Sequence, residues 1–236
     1  MPPRRERGEK MEVQTAVYSI IIVTAFIALL LLYVNYKLKK FDPLSEPKGV
    51  VLLVMMAAQT FDKMVREKTD DRVAKYLTPY IMTVALYIFL SNIAGLFSIE
   101  TPTSNYSVTL TLAALTCILI EVFSFAERGF KGYVKSWFEP LAPFVVMNVM
   151  SKLSTLLSLS LRLFGNILSG GILMSVIYQM LAVISHKIPF LGDFNIVGVI
   201  VAPALHFYFD LFSGVMQAFI FITLTISFIG KELPNK

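Results

Sequence analysis

Apolar residues run in long stretches separated by short charged segments, and the lengths of those stretches define the elements. A helix crossing a bilayer needs about 20 mostly apolar residues, each rising about 1.5 Å through about 30 Å of hydrocarbon. The first such stretch, 16–36, carries no charge from Ile20 to Val34 and ends at Lys37, Lys39 and Lys40. Behind an N-terminal segment 1–15 it reads as a retained transmembrane helix, being too long and lacking the small-residue cleavage site of a secretory signal. The segment 37–75 follows. Within it, the nine apolar residues Val50 to Ala58 are too few to span and continue into Phe61, Met64 and Val65 at helical spacing among charges. That pattern fits an amphipathic helix lying on the membrane surface, or a short buried segment between loops. Two ordinary spans, 76–99 and 107–126, flank a polar turn with Pro102 and Asn105 and form a helical hairpin, with a loop over 127–139.

The last two apolar regions, 140–186 and 194–230, exceed what an upright span buries. From Phe144 to His186 there is no proline, and one helix of that length reaches about 63 Å, twice the hydrocarbon thickness. It must slant steeply, bend, or break, with Gly170 and Gly171 as the place for a break. Pro203 is the corresponding bend in the last region, before a tail over 231–236. The expected fold is an all-α polytopic membrane protein. It has about five membrane-embedded helices plus a surface amphipathic helix, the last two long, oblique and antiparallel.

Composition agrees: 56% of the 236 residues are hydrophobic and 16% charged, which excludes an ordinary soluble domain. The single cysteine, Cys117, lies in an apolar run and excludes an intrachain disulfide or a cysteine-built metal site. The net charge of +5 sits in connecting segments without an aromatic-basic module, so nucleic acid is not the partner. Nine Lys and Arg fall in 37–75, three in 127–139 and two in the tail, against four in 1–10 and one in 185–195. The positive-inside rule puts the first group and the C terminus in the cytoplasm. Arg4, Arg5, Arg7 and Lys10 pull the first helix the other way.

Polar residues inside the long helices carry the functional reading, because ionisable groups at membrane depth are costly and face protein or water. At 100° per residue, Asn148, Ser151, Thr155, Ser158, Asn166 and Ser169 fall within about 40° of Arg162, a polar stripe along an apolar helix. His206, Asp210, Ser213 and Gln217 are spaced by four, three and four and share a second face. Two such lines suit a hydrated proton path, with Arg162 as a fixed positive charge because guanidinium does not titrate at physiological pH. Taken singly, the Ser and Thr residues read as backbone-bonded packing groups. Glu121 and Lys152 read as side chains that snorkel to the interface. Glycines 165, 170 and 171 read as sites of close helix approach.

The stretch SLSLRLFGNILSG, Ser158 to Gly170, closely resembles the arginine signature of ATP synthase subunit a. QAFIFITLT, Gln217 to Thr225, resembles the C-terminal signature of the same family. Residues Ser104 to Leu112 and the RGFK loop at Arg128 to Lys131 resemble bacterial members, so the likeness covers about Leu77 to Ile229, with the first 75 residues matching in layout. The resemblance implies the ion-conducting stator of an F-type ATP synthase. Arg162 would face the rotor ring of c subunits between two half-channels, with Asn166 and Gln217 as polar partners close to it and Asp210 as the acid of one half-channel. Ser158, Ser169, Ser213, His206 and Asn148 complete the expected proton-translocation set. The resemblance further implies a c ring, a b-subunit peripheral stalk and membrane lipid as partners, and a bacterial plasma membrane or a mitochondrial inner membrane as the location. The subunit itself is expected to be non-catalytic, without cofactor or metal, since no phosphate loop, triad or metal-ligand cluster appears.

Two departures stand out: many members carry Glu or His where this chain has Gly171, and Glu where it has Asn148. The competing readings are a self-contained channel or secondary transporter, disfavoured by the lack of a repeat between the halves, and a non-conducting assembly scaffold. The scaffold leaves the Arg162 and Asp210 lines without a purpose.

Overall fold

A computed structural model of the chain describes residues 4–42, 46–97, 99–138, 142–186 and 196–233. Among these there is no strand, and the helices are α1 (Arg4–Lys39), α2 (Val50–Arg66), α3 (Asp71–Ile93), α4 (Tyr106–Phe138), α5 (Val145–His186), α6 (Ile196–His206) and α7 (Ser213–Glu232). Five stretches are long and apolar enough to cross a membrane: Val17–Lys39, Asp71–Phe97, Tyr106–Phe138, Val145–Ser185 and Val197–Glu232. The protein is an all-α polytopic membrane protein.

The core forms where apolar faces meet away from lipid. Val65 of α2, Leu77 and Ile81 of α3, Ile120 of α4 and Ile222, Ile226 and Ile229 of α7 make one buried cluster. Ile88 of α3, Ala113 of α4, Leu159 and Leu163 of α5 and Ala218 and Phe221 of α7 make a second. α3 and α7 therefore form the spine. α1 adds Val23 and Ile27 against Ala94 at the edge. Lipid tails are as apolar as leucine, so close backbone approach, rather than escape from water, holds such helices together. Gly214 shows it: a Cβ there would lie 2.7 Å from the Asn92 Cβ. Gly230 does the same against the Lys68 carbonyl oxygen, at 2.8 Å.

At the edge of α2, Arg66 pairs with Asp62 at 2.6 Å and also with Asp71, tying α2 to the start of α3. The Thr78 hydroxyl donates to Asp62. The hydrogen bond from Arg66 holds the Asp62 carboxyl below the usual carboxylate range.

Three local features differ from the sequence expectation. Helix α1 begins at Arg4, so residues expected to precede the span are continuous with it. Residues 127–138, expected as a loop, are helical after a sharp turn at Gly129, whose φ of 67° and ψ of 172° suit glycine. Tyr133 and Glu121 would be about 18 Å apart on a straight helix, yet they hydrogen bond at 2.7 Å, so the chain folds back there. The third feature is that α5 runs unbroken through Gly170 and Gly171 for 42 residues. Glycine costs a helix interior only about 1 kcal/mol, too little to break a helix whose polar backbone must stay bonded in lipid.

Contacts between α5 and the last helical region run in opposite order: Ser185 with Val197, Tyr178 with His206, and Asn166 with Ser213. The two are antiparallel. Pro203 lies inside α6, and one turn later the chain widens into a π-helical turn, Phe207–Phe212. Proline removes one backbone donor, and single π turns are a common way to absorb such a break, frequently at functional sites.

Candidate functional site

Helix α5 buries Leu159 and Leu163 in the core, and this fixes its rotation. The polar stripe borders that ridge, so Ser158, Arg162 and Ser169 are exposed while Asn166 is half-buried. Arg162 Nη2 donates to Ser158 Oγ at 3.4 Å, one turn earlier. Among the described residues no carboxylate lies within ion-pair distance of Arg162. Almost none of the apolar window of α5 is buried, so the arginine stands on a face that the rest of the described residues leave uncovered.

A hydrogen-bonded line joins α5 to the π turn. His206 Nδ1 lies 2.6 Å from Asp210 Oδ2, and His206 Nε2 lies 3.0 Å from the Tyr178 hydroxyl. With a donor and an acceptor nitrogen on one ring, the imidazole can pass a proton between phenol and carboxylate by exchanging tautomers. Two glycines border the line: a Cβ on Gly95 would meet the Asp210 carboxyl carbon at 3.7 Å, and one on Gly170 would meet the Phe209 ring at 3.7 Å, both ordinary van der Waals contacts.

Between this line and Arg162, Asn166 Nδ2 donates to Ser213 Oγ at 2.9 Å and pins α5 to α7. Ser169 Oγ bonds back to the Asn166 carbonyl. Gln217, one turn beyond Ser213, is 4% exposed, and its Nε2 has no hydrogen-bond partner within the described chain. Leaving such a donor unpaired costs about 1–3 kcal/mol. Asn148 is engaged elsewhere, donating to the Trp137 carbonyl at 2.8 Å and so fastening the folded-back end of α4.

A family model described as the ATP synthase A chain matches residues 16–230. The chain belongs to this family. The sodium ion specific ATP synthase subunit a of Propionigenium modestum is 31% identical over 95% of this chain and 79% of its own length. Subunit a of Priestia megaterium is 33% identical over 80% of this chain and 81% of its own length. Subunit a of Mycoplasma pneumoniae is 31% identical over 91% and 78%.

In this member of the ATP synthase A chain family, the structure brings Asp210 to His206 and Asn166 to Ser213, but no hydrogen bond joins Gln217 to Arg162. Gly165 and Gly171 face open space, so within the described chain no neighbouring helix packs on them. Tyr178 escaped the sequence reading because it lies about 160° around an ideal helix from Arg162. Only the packing of α6 against that side reveals it. Glu121 and Lys152, expected to reach the interface separately, pair with each other at 2.6 Å. Thirty-one residues and a helix boundary separate them, so no local spacing announced the contact.

Proposed function

We propose that this chain is the ion-translocating stator subunit of the membrane sector of an F-type ATP synthase, presenting Arg162 to a rotor ring of c subunits between two half-channels. The observation that carries this is an exposed guanidinium on an apolar helix with no acid partner among the described residues. A charge at membrane depth costs about 2.5–3.5 kcal/mol on insertion scales, so its partner belongs on another chain. A rotor carboxylate at about 4 Å gains roughly 4 kcal/mol at an effective dielectric of 20, equivalent to a pKa depression of up to about 3 units before desolvation opposes it. The passing rotor site then gives up its proton in front of Arg162 and cannot slip protonated from one half-channel to the other.

The Tyr178, His206 and Asp210 line is the proton route of one half-channel. Asn166 and Ser213 hold α5 and α7 in register beside the arginine, with Ser158, Ser169 and Gln217 as polar lining. Helix α2 lies on the bilayer surface, and the long α5 and α6–α7 run obliquely to the membrane normal. The subunit is non-catalytic; a b-subunit stalk holds it against rotation in a bacterial plasma membrane. Family membership and the occurrence of both signature stretches in their expected order support this reading.

The test is Arg162→Ala in the whole complex, with assembly checked by native gel. ATP-driven proton pumping in inverted vesicles should vanish while the complex remains assembled. Coupled pumping near the unmodified rate would refute the stator role.

A further inference from the structure

A second polar cluster lies at the opposite end of α5 from the Tyr178 line, and nothing in the arginine or Asp210 chemistry uses it. Glu121 of α4 accepts from Lys152 Nζ at 2.6 Å and from the Tyr133 hydroxyl at 2.7 Å. The Lys152 ammonium also lies 4.5 Å from the Trp137 ring centroid and 5.3 Å from that of Tyr133. Both rings belong to the segment that folds back after Gly129. Nearby, Ser124 donates to the Glu232 carboxylate at 3.2 Å, and Arg128 Nε donates to the Glu232 carbonyl at 2.9 Å.

These groups surround a cavity of about 180 Å³, lined by Glu121, Lys152, Ser151, Thr155, Lys231 and Glu232 among others. Ser151 and Thr155 are the decisive members. They are successive turns of the stripe that continues through Ser158 to Arg162, so the cavity opens onto the polar face leading to the arginine. Its volume is several times the share of about 30 Å³ that one water takes in the liquid. Cys117 and Phe228 close the apolar side.

We propose that Glu121, held by Lys152 and Tyr133, is the proton-relay carboxylate of the second half-channel, supplied by α4 at the end of the stripe where Asn148 offers no acid. This rests on the stator reading above. A proton released near Arg162 passes along water beside Ser158, Thr155 and Ser151 to a Glu121 oxygen. That oxygen then returns the proton to water at the cavity mouth, and the carboxylate regains its charge; the reverse sequence serves pumping. Lys152 and Tyr133 are positioning residues that keep the carboxylate aimed into the cavity between transfers. Asn148, by bonding the Trp137 carbonyl, holds the folded-back segment over the lysine.

The experiment compares Glu121→Gln, Glu121→Asp and the double variant Glu121→Gln with Lys152→Met in the intact complex, reconstituted in phosphatidylcholine vesicles. Proton flux is read both as ATP-driven pumping and as passive conductance of the membrane sector. Glu121→Gln should lower both by about a hundredfold, the low end of what a positioned proton-transfer group supplies. Glu121→Asp should retain most of the flux. The double variant, which leaves no unpaired charge, should assemble and stay as slow as Glu121→Gln. If the double variant conducts at the unmodified rate, Glu121 only neutralises Lys152 and the proposal is overturned, whether or not Glu121→Gln alone assembles. Arg162→Ala in the same preparation separates the two readings. Retained coupling there refutes the stator assignment, whereas lost coupling beside a fully conducting Glu121 double variant refutes only the relay.

Discussion

Replacing Asp210 by Asn keeps the size and shape of the side chain but removes the group that can take up a proton. The structure sets what is lost. His206 bridges the Tyr178 hydroxyl at 3.0 Å and Asp210 at 2.6 Å, so the carboxylate is the acidic end of a three-group line. With an amide in its place the imidazole still has a hydrogen-bond partner, but no titrating one. Asp210 is partly exposed, with 23% of its side chain accessible, so water replaces part of the lost transfer. The expected fall in proton entry is about a hundredfold, or about 2.7 kcal/mol in barrier height, at the low end for a proton-transfer group. Adding Gly171→Glu should restore part of it. A Cβ at Gly171 meets nothing within 4 Å, and position 171 lies two turns before Tyr178 on nearly the same face, so the new carboxylate has both room and direction. The assay is ATP-driven acidification of inverted vesicles, normalised to assembled complex. Pumping by Asp210→Asn at the unmodified rate would refute the role given to this line. Failure of Gly171→Glu to improve a slow Asp210→Asn would refute the geometry assigned to the half-channel.

Two further outcomes follow from packing and charge. Gly214→Ala should lower the melting temperature of the purified complex: the new methyl would overlap Asn92 at 2.7 Å and force α3 and α7 apart, at a cost of about 1–3 kcal/mol. An unchanged melting curve would mean that the α3–α7 contact is softer than described. For Asp62, hydrogen bonding to Arg66 depresses the folded-state pKa. Its stabilising contribution is therefore complete above the ordinary carboxylate range and is lost as the pH falls through the folded value. Protection of the α2 amides, corrected for the intrinsic exchange rate, should fall in acid below that range, less so in Asp62→Asn, and a variant with an identical acid profile would rule the pair out as the cause.

Helix number and membrane character were legible because both depend on run length and composition, which a bilayer constrains tightly. The Arg162 stripe was legible for the same kind of reason, since helical periodicity alone puts Ser151, Thr155, Ser158 and Asn166 on its face. What stayed hidden was set by contacts between helices. Tyr178 points away from the arginine face and joins the site only because α6 packs against it. The π turn at Phe207–Phe212 leaves no compositional mark, and Pro203 announces only that something must give. Glycine 129 looked like part of a loop, whereas it reverses a helix whose far arm returns Tyr133 to Glu121.

These contacts bear on why Arg162 is left free. Two acids on the helical segments that flank it, one towards each end of α5, are already committed: Asp210 to His206, and Glu121 to Lys152. An acid released from its own base would be drawn toward the guanidinium, and an arginine paired within its own chain would have little attraction left for a passing carboxylate. Local pairing therefore serves two ends at once. It lowers the cost of keeping each carboxylate near the apolar interior, and on the proposed stator reading it would leave the one non-titrating charge on α5 available to a partner. The same logic favours lysine over arginine at position 152. On the relay proposed for Glu121, a compact ammonium would hold the carboxylate between transfers without the bidentate grip of a guanidinium.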